Sequence, residues 1–221
     1  MEGDTEAEMA GDTGQPDLAE LEAEIARLKE ENKKLRVSNR RWMRIAGTDL
    51  LTGLPNKIFL TTALLPQAIT SSDEDGRPLG CVMMAPDDLG EFNNKYGRRG
   101  GDDLVKGVGE FLSGTVEEDE KLVHLDGANF ILIVPRADLQ LAKKRSLALR
   151  AKILNRQFEC AGTQVPITLS LGVVSRAPSP EGTQVNVKEV VDEFLRRLNG
   201  ALGQAKQMGG NRPYDDPEIN F

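Results

Sequence analysis

A chain of 221 residues has room for one domain and an extension, and 39% hydrophobic residues suffice for a core. The net charge of −7 is unevenly placed: residues 1–17 carry six acids and no Lys or Arg, so the remainder sums to about −1, which argues against a nucleic-acid binder. No apolar run approaches the roughly 18 residues of a membrane span and no signal peptide is evident, so a cytoplasmic protein without membrane insertion is expected.

In chain order, residues 1–16 are acidic, small and Gly-containing, and read as a disordered tail. Residues 17–47 change character. Leu18, Ile25, Asn32, Asn39 and Ala46 fall at heptad position a, and Leu21, Leu28, Leu35 and Trp42 at position d. Leucine at d with Asn at a favours a parallel two-stranded coiled coil, because facing Asn side chains bond in one register only. Glu24 with Lys29, and Glu31 with Arg36, are placed as g-to-e pairs between the two chains. The same pattern also suits one amphipathic helix folded onto its own domain. The homodimer is the expectation carried forward.

Beyond the coil, helices are predicted near 56–70, 101–114, 138–155 and 187–208, and strands near 79–84, 121–125, 129–134 and 165–174. Pro66 should kink or end the first of these helices. Residues 175–186, with Pro178, Pro180 and Gly182, read as irregular. Asp126-Gly127 between two apolar runs signals a tight hairpin, since Gly takes the positive φ of the turn. Cys81 in a predicted strand and Cys160 in a predicted loop have no metal or redox spacing and read as reduced thiols. Strands alternating with helices around an antiparallel hairpin argue for an α/β sandwich with a central mixed sheet.

Several segments then fall into a familiar order: Asp49-Leu50-Leu51-Thr52-Gly53-Leu54-Pro55-Asn56, Val82 to Leu89, Phe92 to Gly97, Gly101-Asp102-Asp103-Leu104, His124 to Phe130, Thr168 to Val173, and Ala201 to Arg212. Over about 49–212 the chain resembles the GGDEF domain of bacterial diguanylate cyclases. The resemblance implies a five-stranded sheet wrapped by helices over 48–215, with 216–221 as a tail. It also implies chemistry in which two GTP molecules, one on each of two facing domains, are joined into cyclic di-GMP with the help of divalent metal.

At the family's two metal-binding carboxylates this chain has Ala85 and Ala128, neither of which offers an oxygen. The signature's Gly-Gly is Asp126-Gly127 and its Glu is Asn129, while Phe130 is kept, and Asp126 is expected to bring negative charge toward phosphates. The family's Lys after the first strand is Gly90, and the Arg four residues beyond Lys206 is Gly210. The Arg-x-x-Asp feedback site falls on Glu117-Glu118-Asp119-Glu120, four acids that would repel a cyclic dinucleotide. Asn93 and Asp102 match guanine-binding positions and Lys206 a phosphate contact, though Asn and Asp also suit helix caps and turns. His124 stands where the family often has Arg and reads as structural.

Three readings compete: a non-catalytic, dimeric GGDEF-like protein that binds an unidentified protein partner, a nucleotide sensor, and an active cyclase. The first is the expectation, with no enzyme activity, no cofactor and no metal. The second, binding GTP or cyclic di-GMP through Asn93, Asp102 and Lys206, is the alternative.

Overall fold

The computed structural model describes residues 18–216, without the side chains of 36, 37 and 39–45. The acidic tail 1–16 and the side chains of Asn39 and Trp42 therefore lie outside the described residues. The chain divides between Met43 and Arg44 into two units. Helix α1 spans Leu18–Ala46, 29 residues or about 43 Å at 1.5 Å per residue. Along it Leu18, Leu21, Ile25, Leu28 and Leu35 are exposed. Glu24, expected to reach across to another chain, instead accepts two 2.7 Å hydrogen bonds from Arg27 of its own helix. An exposed pair three residues apart is worth little, so this arrangement leaves Glu24 available to a competitor.

The second unit is built on a mixed five-stranded sheet in the order β2-β3-β1-β6-β7. Strand β1 (Leu79–Pro86) lies at its centre, antiparallel to both β3 (Asn129–Pro135) and β6 (Leu169–Arg176). Strand β2 (Lys121–Asp126) pairs with β3 on one edge, and β7 (Pro213–Asp215) runs parallel to β6 on the other. The period of two sorts side chains to two faces. Val82, Met84, Phe130, Leu132, Leu171 and Val173 pack with α4 (Leu89–Ser113) and α5 (Leu139–Leu154). Cys81, Met83, Ile131, Ile133 and Val174 pack with α3 (Leu65–Asp75) and α6 (Val187–Gln207). Buried on both faces, β1 reads as a continuous apolar run rather than an alternating one, and β6 is likewise buried throughout, with Ser170, Ser175 and Arg176 among its residues. Gly172 lets α6 approach closely: a Cβ there would stand 2.5 Å from the Leu202 nitrogen.

Four expectations need correction. Pro66 neither ends nor breaks its helix. A short α2 (Lys57–Phe59) passes through a π-helical turn (Leu60–Leu64) into α3, where Pro66 lies in the first turn and its missing N–H costs little. Helix α4 starts at Leu89, not 101, and bends at Gly97, whose φ of 72° and ψ of 171° lie outside the helical region. Cys160 is not in a loop. It closes β4 (Gln157–Cys160), which pairs with β5 (Thr163–Pro166), and the expected strand 165–174 is broken in two. The connecting turn has φ of 49° at Ala161 and 78° at Gly162. Alanine is an unusual occupant of a left-handed position, so the usual Asn-Gly or Asp-Gly cue is missing.

The hairpin expected at Asp126-Gly127 is present: Asp126 pairs with Asn129, and Gly127 takes a φ of 57°.

Candidate functional site

A cleft of about 620 Å³ opens where β1 ends, between the first turn of α4, the β2–β3 turn and the end of α6. Its walls include Ala85, Asp87, Ala128, Asn129, Thr168 and Lys206. Each element brings its residue there for a local reason. Strand β1 ends after Pro86, and Asp88 adopts a left-handed φ of 58° that swings the chain into α4, its carbonyl accepting from Glu91 N at 2.9 Å. Helix α6 ends through Gly209 and Gly210, both at positive φ, with Gly210 N donating to Ala205 O at 3.1 Å. This termination places Lys206, in the last turn, on the wall of the cleft.

Asp87 is the knot of the site. Its carboxylate accepts from the Thr168 hydroxyl at 2.5 Å, the Ser170 hydroxyl at 2.6 Å and the Asn211 amide at 2.9 Å. Asp87 N donates to Thr168 O at 3.0 Å. The carboxylate thus ties the end of β1 to the start of β6 and to the loop after α6. It also explains Gly210, because a Cβ there would lie 3.1 Å from the Asp87 carboxylate. The sequence reading missed Thr168 and Ser170. Two hydroxyl residues at i, i+2 in an otherwise apolar strand share one face, and that was the available signal.

The hairpin is fixed from its other side. His124 is buried, with Nδ1 2.9 Å from Asp49 Oδ1, Nε2 3.1 Å from Gly127 O, and its ring 4.9 Å from that of Phe130. Asp49 also accepts from the Thr52 amide and hydroxyl, both at 2.9 Å. Burial pushes its carboxyl up, but these hydrogen bonds and that to His124 outweigh it and hold Asp49 below the usual carboxylate range. Phe130 is a core residue and does not line the cleft.

One further expectation fails on geometry. Asp126 does not point its charge into the cleft. It is half exposed, accepts from Asn129 Nδ2 at 3.0 Å and faces Lys57 at 3.8 Å. The four acids Glu117-Glu118-Asp119-Glu120 are not placed alike. Glu120 is buried, held by two hydrogen bonds from Arg145 at 2.6 and 2.7 Å. Asn93 and Asp102 flank the Gly97 bend of α4. The Asn93 carboxamide occupies the space beside Gly101 that a Cβ would need. Neither lines the cleft.

The side chains present do not fit a Mg²⁺ held as the resemblance implies. Ala85 and Ala128 offer no oxygen, and the Asp87 carboxylate is already engaged by three donors. Among the described residues no group of three or more His, Cys, Asp or Glu side chains could hold a metal ion. Among them, too, no helix is long and apolar enough to cross a membrane.

Residues 46–212 match the family described as "Diguanylate cyclase, GGDEF domain". The chain is 27% identical over 167 residues to diguanylate cyclase DgcP of Pseudomonas aeruginosa, covering 76% of this chain and 23% of that protein. It is 25% identical over 167 residues to diguanylate cyclase DosC of Escherichia coli, covering 75% and 34%. It therefore spans roughly a quarter to a third of the length of these curated relatives. Among solved structures, the coiled coil and GGDEF domain of DgcB from Caulobacter crescentus, in complex with c-di-GMP, aligns with a TM-score of 0.68 at 25% identity. That alignment covers 89% of this chain and 99% of that one. Diguanylate cyclase SiaD of Pseudomonas aeruginosa, solved with its activator SiaC, aligns at 0.67 with 20% identity, covering 90% and 71%, a likeness of fold.

These matches overturn the expectation that the chain stands apart from enzymes. The description that fits it from 46 to 212 is that of a cyclase domain, and both curated relatives carry the name of cyclases. The substitutions at 85 and 128 sit inside that match.

Proposed function

The chain belongs to the GGDEF domain family, and from that premise we propose that it serves cyclic di-GMP signalling as a regulatory protein of the bacterial cytoplasm, paired through α1 and acting by contact with a protein partner. In this reading residues 17–47 form a parallel two-stranded coil and 48–215 the globular domain. The observation that carries it is the donor set of the cleft. Ala85 and Ala128 stand at its wall, and Asp87 is engaged by Thr168, Ser170 and Asn211, which supports recognition through contact surfaces rather than through a metal held by side chains.

Pairing is supported by the exposed Leu18, Leu21, Ile25, Leu28 and Leu35 at a and d spacing along α1. Replacing Leu28 and Leu35 with Asp is expected to give monomers by light scattering. A variant that stayed dimeric would move the interface onto the globular unit.

A second reading, a nucleotide sensor, is favoured by Lys206 on the cleft wall. Calorimetric titration of the whole chain with GTP and then cyclic di-GMP, with Mg²⁺ present, separates the two. Micromolar binding that Lys206→Ala weakens would establish the sensor and set aside contact as the working mode. No heat with either nucleotide sustains the contact reading. GTP turnover followed in the same samples reports the family's activity directly.

A further inference from the structure

Helix α5 differs from the other long helices in being apolar on both sides. Its inner face, with Ala142, Leu149 and Ile153, is buried in the core. Its outer face keeps Leu141, Leu147 and Leu154 at 48%, 42% and 40% exposure. Leu147, Ala151 and Leu154 fall at i, i+4 and i+7, one ridge along the helix. The charge is as one-sided as the apolarity: Leu139–Leu154 contains five Lys or Arg residues and no carboxylate. Two of these cations are neutralised within the fold, Lys143 by Asp215 at 2.9 Å and Arg145 by Glu120. Arg150 turns to the Asn211 backbone, its Nε donating to Asn211 O at 2.6 Å. Lys144 and Lys152 are exposed, and among the described residues neither has an ion-pair partner. They stand eight residues apart, about 12 Å along the axis.

We propose that the outer face of α5 is the docking surface for an acidic amphipathic helix of a partner protein, whose apolar stripe covers the Leu147–Leu154 ridge and whose carboxylates meet Lys144 and Lys152. An apolar strip flanked by unpaired charge of one sign matches a helix with an apolar stripe and the opposite sign. An anionic membrane fits this surface less well. The acids Glu117, 3.8 Å from Arg145, and Asp215 border this helix and would meet a flat anionic surface, whereas one narrow helix can pass between them. Arg150 links the face to the cleft: it holds Asn211, whose amide binds Asp87. The inference rests on the partner-contact reading and names the surface and the chemistry of the partner.

The test uses the full chain and a synthetic 15-residue helical peptide with Leu at i, i+4 and i+7 and Glu residues eight apart, followed by fluorescence anisotropy. Saturable binding is expected. Lys144→Glu with Lys152→Glu should weaken it at least about tenfold, and a peptide with Lys in place of its Glu residues should recover binding to that variant. Circular dichroism of the variant matching that of the parent shows that its fold is kept. Absent binding, or binding indifferent to the charge reversal, overturns the proposal. So does Lys144- and Lys152-dependent sedimentation with vesicles of phosphatidylcholine and phosphatidylglycerol at 3:1 when the peptide is not bound, which would make the face a membrane contact. A drop in mass by light scattering on Leu147→Asp would put a second copy of the chain there and overturns it too. The contact reading itself fails on a separate readout, the nucleotide titration, which none of these outcomes moves.

Discussion

Asp87 and Glu120 are two carboxylates at the ends of strands, one just after β1 and the other just before β2, and the fold satisfies them by different chemistry. Asp87 is bound by neutral groups, two hydroxyls and an amide. Three hydrogen bonds hold it, but its charge is not cancelled. Glu120 is buried against the Arg145 guanidinium, which also donates to Thr115 O at 2.6 Å, while Glu117 N donates to Glu120 at 2.8 Å. There charge and hydrogen bonds are settled together, and the carboxylate holds Arg145 above its usual value. The first arrangement leaves a charged wall beside Lys206 in an open cleft. The second turns a segment that reads as acidic into a neutral brace between α5 and β2. Four acids in a row, Glu117-Glu118-Asp119-Glu120, thus hide one residue that belongs to the interior.

The sharpest way to break this contrast is Arg145→Met, which leaves Glu120 buried without its partner. Urea unfolding should show a loss of about 3–5 kcal/mol, and adding Glu120→Leu should return most of it. A loss under about 1 kcal/mol would mean that Glu120 reaches water. Asp87→Ala removes three hydrogen bonds from neutral donors to a carboxylate at a partly exposed position, so a loss of about 1–3 kcal/mol is expected, with Asp87→Asn intermediate. If the Ala variant were as stable as the parent, the knot at the end of β1 would be decorative.

Acidification should act more gently. Asp49 and Asp73 lie below the ordinary 3.8 when folded. In Asp73, burial pushes the carboxyl up but the hydrogen bonds from Arg176 and Ser179 outweigh it. A carboxylate depressed by folding gives stability that is fully present above the unfolded value and fades as pH falls through the folded one. Melting temperature should therefore drop below about pH 4, and Asp49→Asn should flatten that limb. An unchanged limb would assign the acid transition to other groups. The smallest effect belongs to Asp126→Ala, a half-exposed residue facing Lys57, at under about 0.5 kcal/mol. A larger loss would show that Asp126 helps to hold the hairpin.

The comparison also marks where sequence reasoning works and where it stops. Strands β1, β2 and β3 and the long helices α5 and α6 are legible because local pattern and burial agree: buried apolar runs, 3.6-residue periodicity, and Asp-Gly at a turn. Legibility fails where tertiary contact overrides local preference. The first half of α4 is masked by Gly97, Gly100 and Gly101, the glycines that let the helix bend and seat Asn93 against residue 101. Strand β7 is three residues long and starts with proline, and it exists because β6 offers its edge. In the cleft the alanines at 85 and 128 are plain in the sequence. The anchoring of Asp87 is not, since its donors come from residues 168, 170 and 211.

The position of β1 at the middle of the sheet has a consequence for how the protein is made. Its first partner, β3, follows about 50 residues later, but its second, β6, follows only after about 90, so Leu79 must wait for Arg176. At a synthesis rate of about 5–20 residues per second, the nascent chain carries an open, wholly apolar strand edge for roughly 5–20 s. During that interval β1 and β3 present to the cytosol the surface most prone to pair with a neighbouring chain. Yield on expression should respond to slower translation or to chaperone supply before it responds to changes at the cleft.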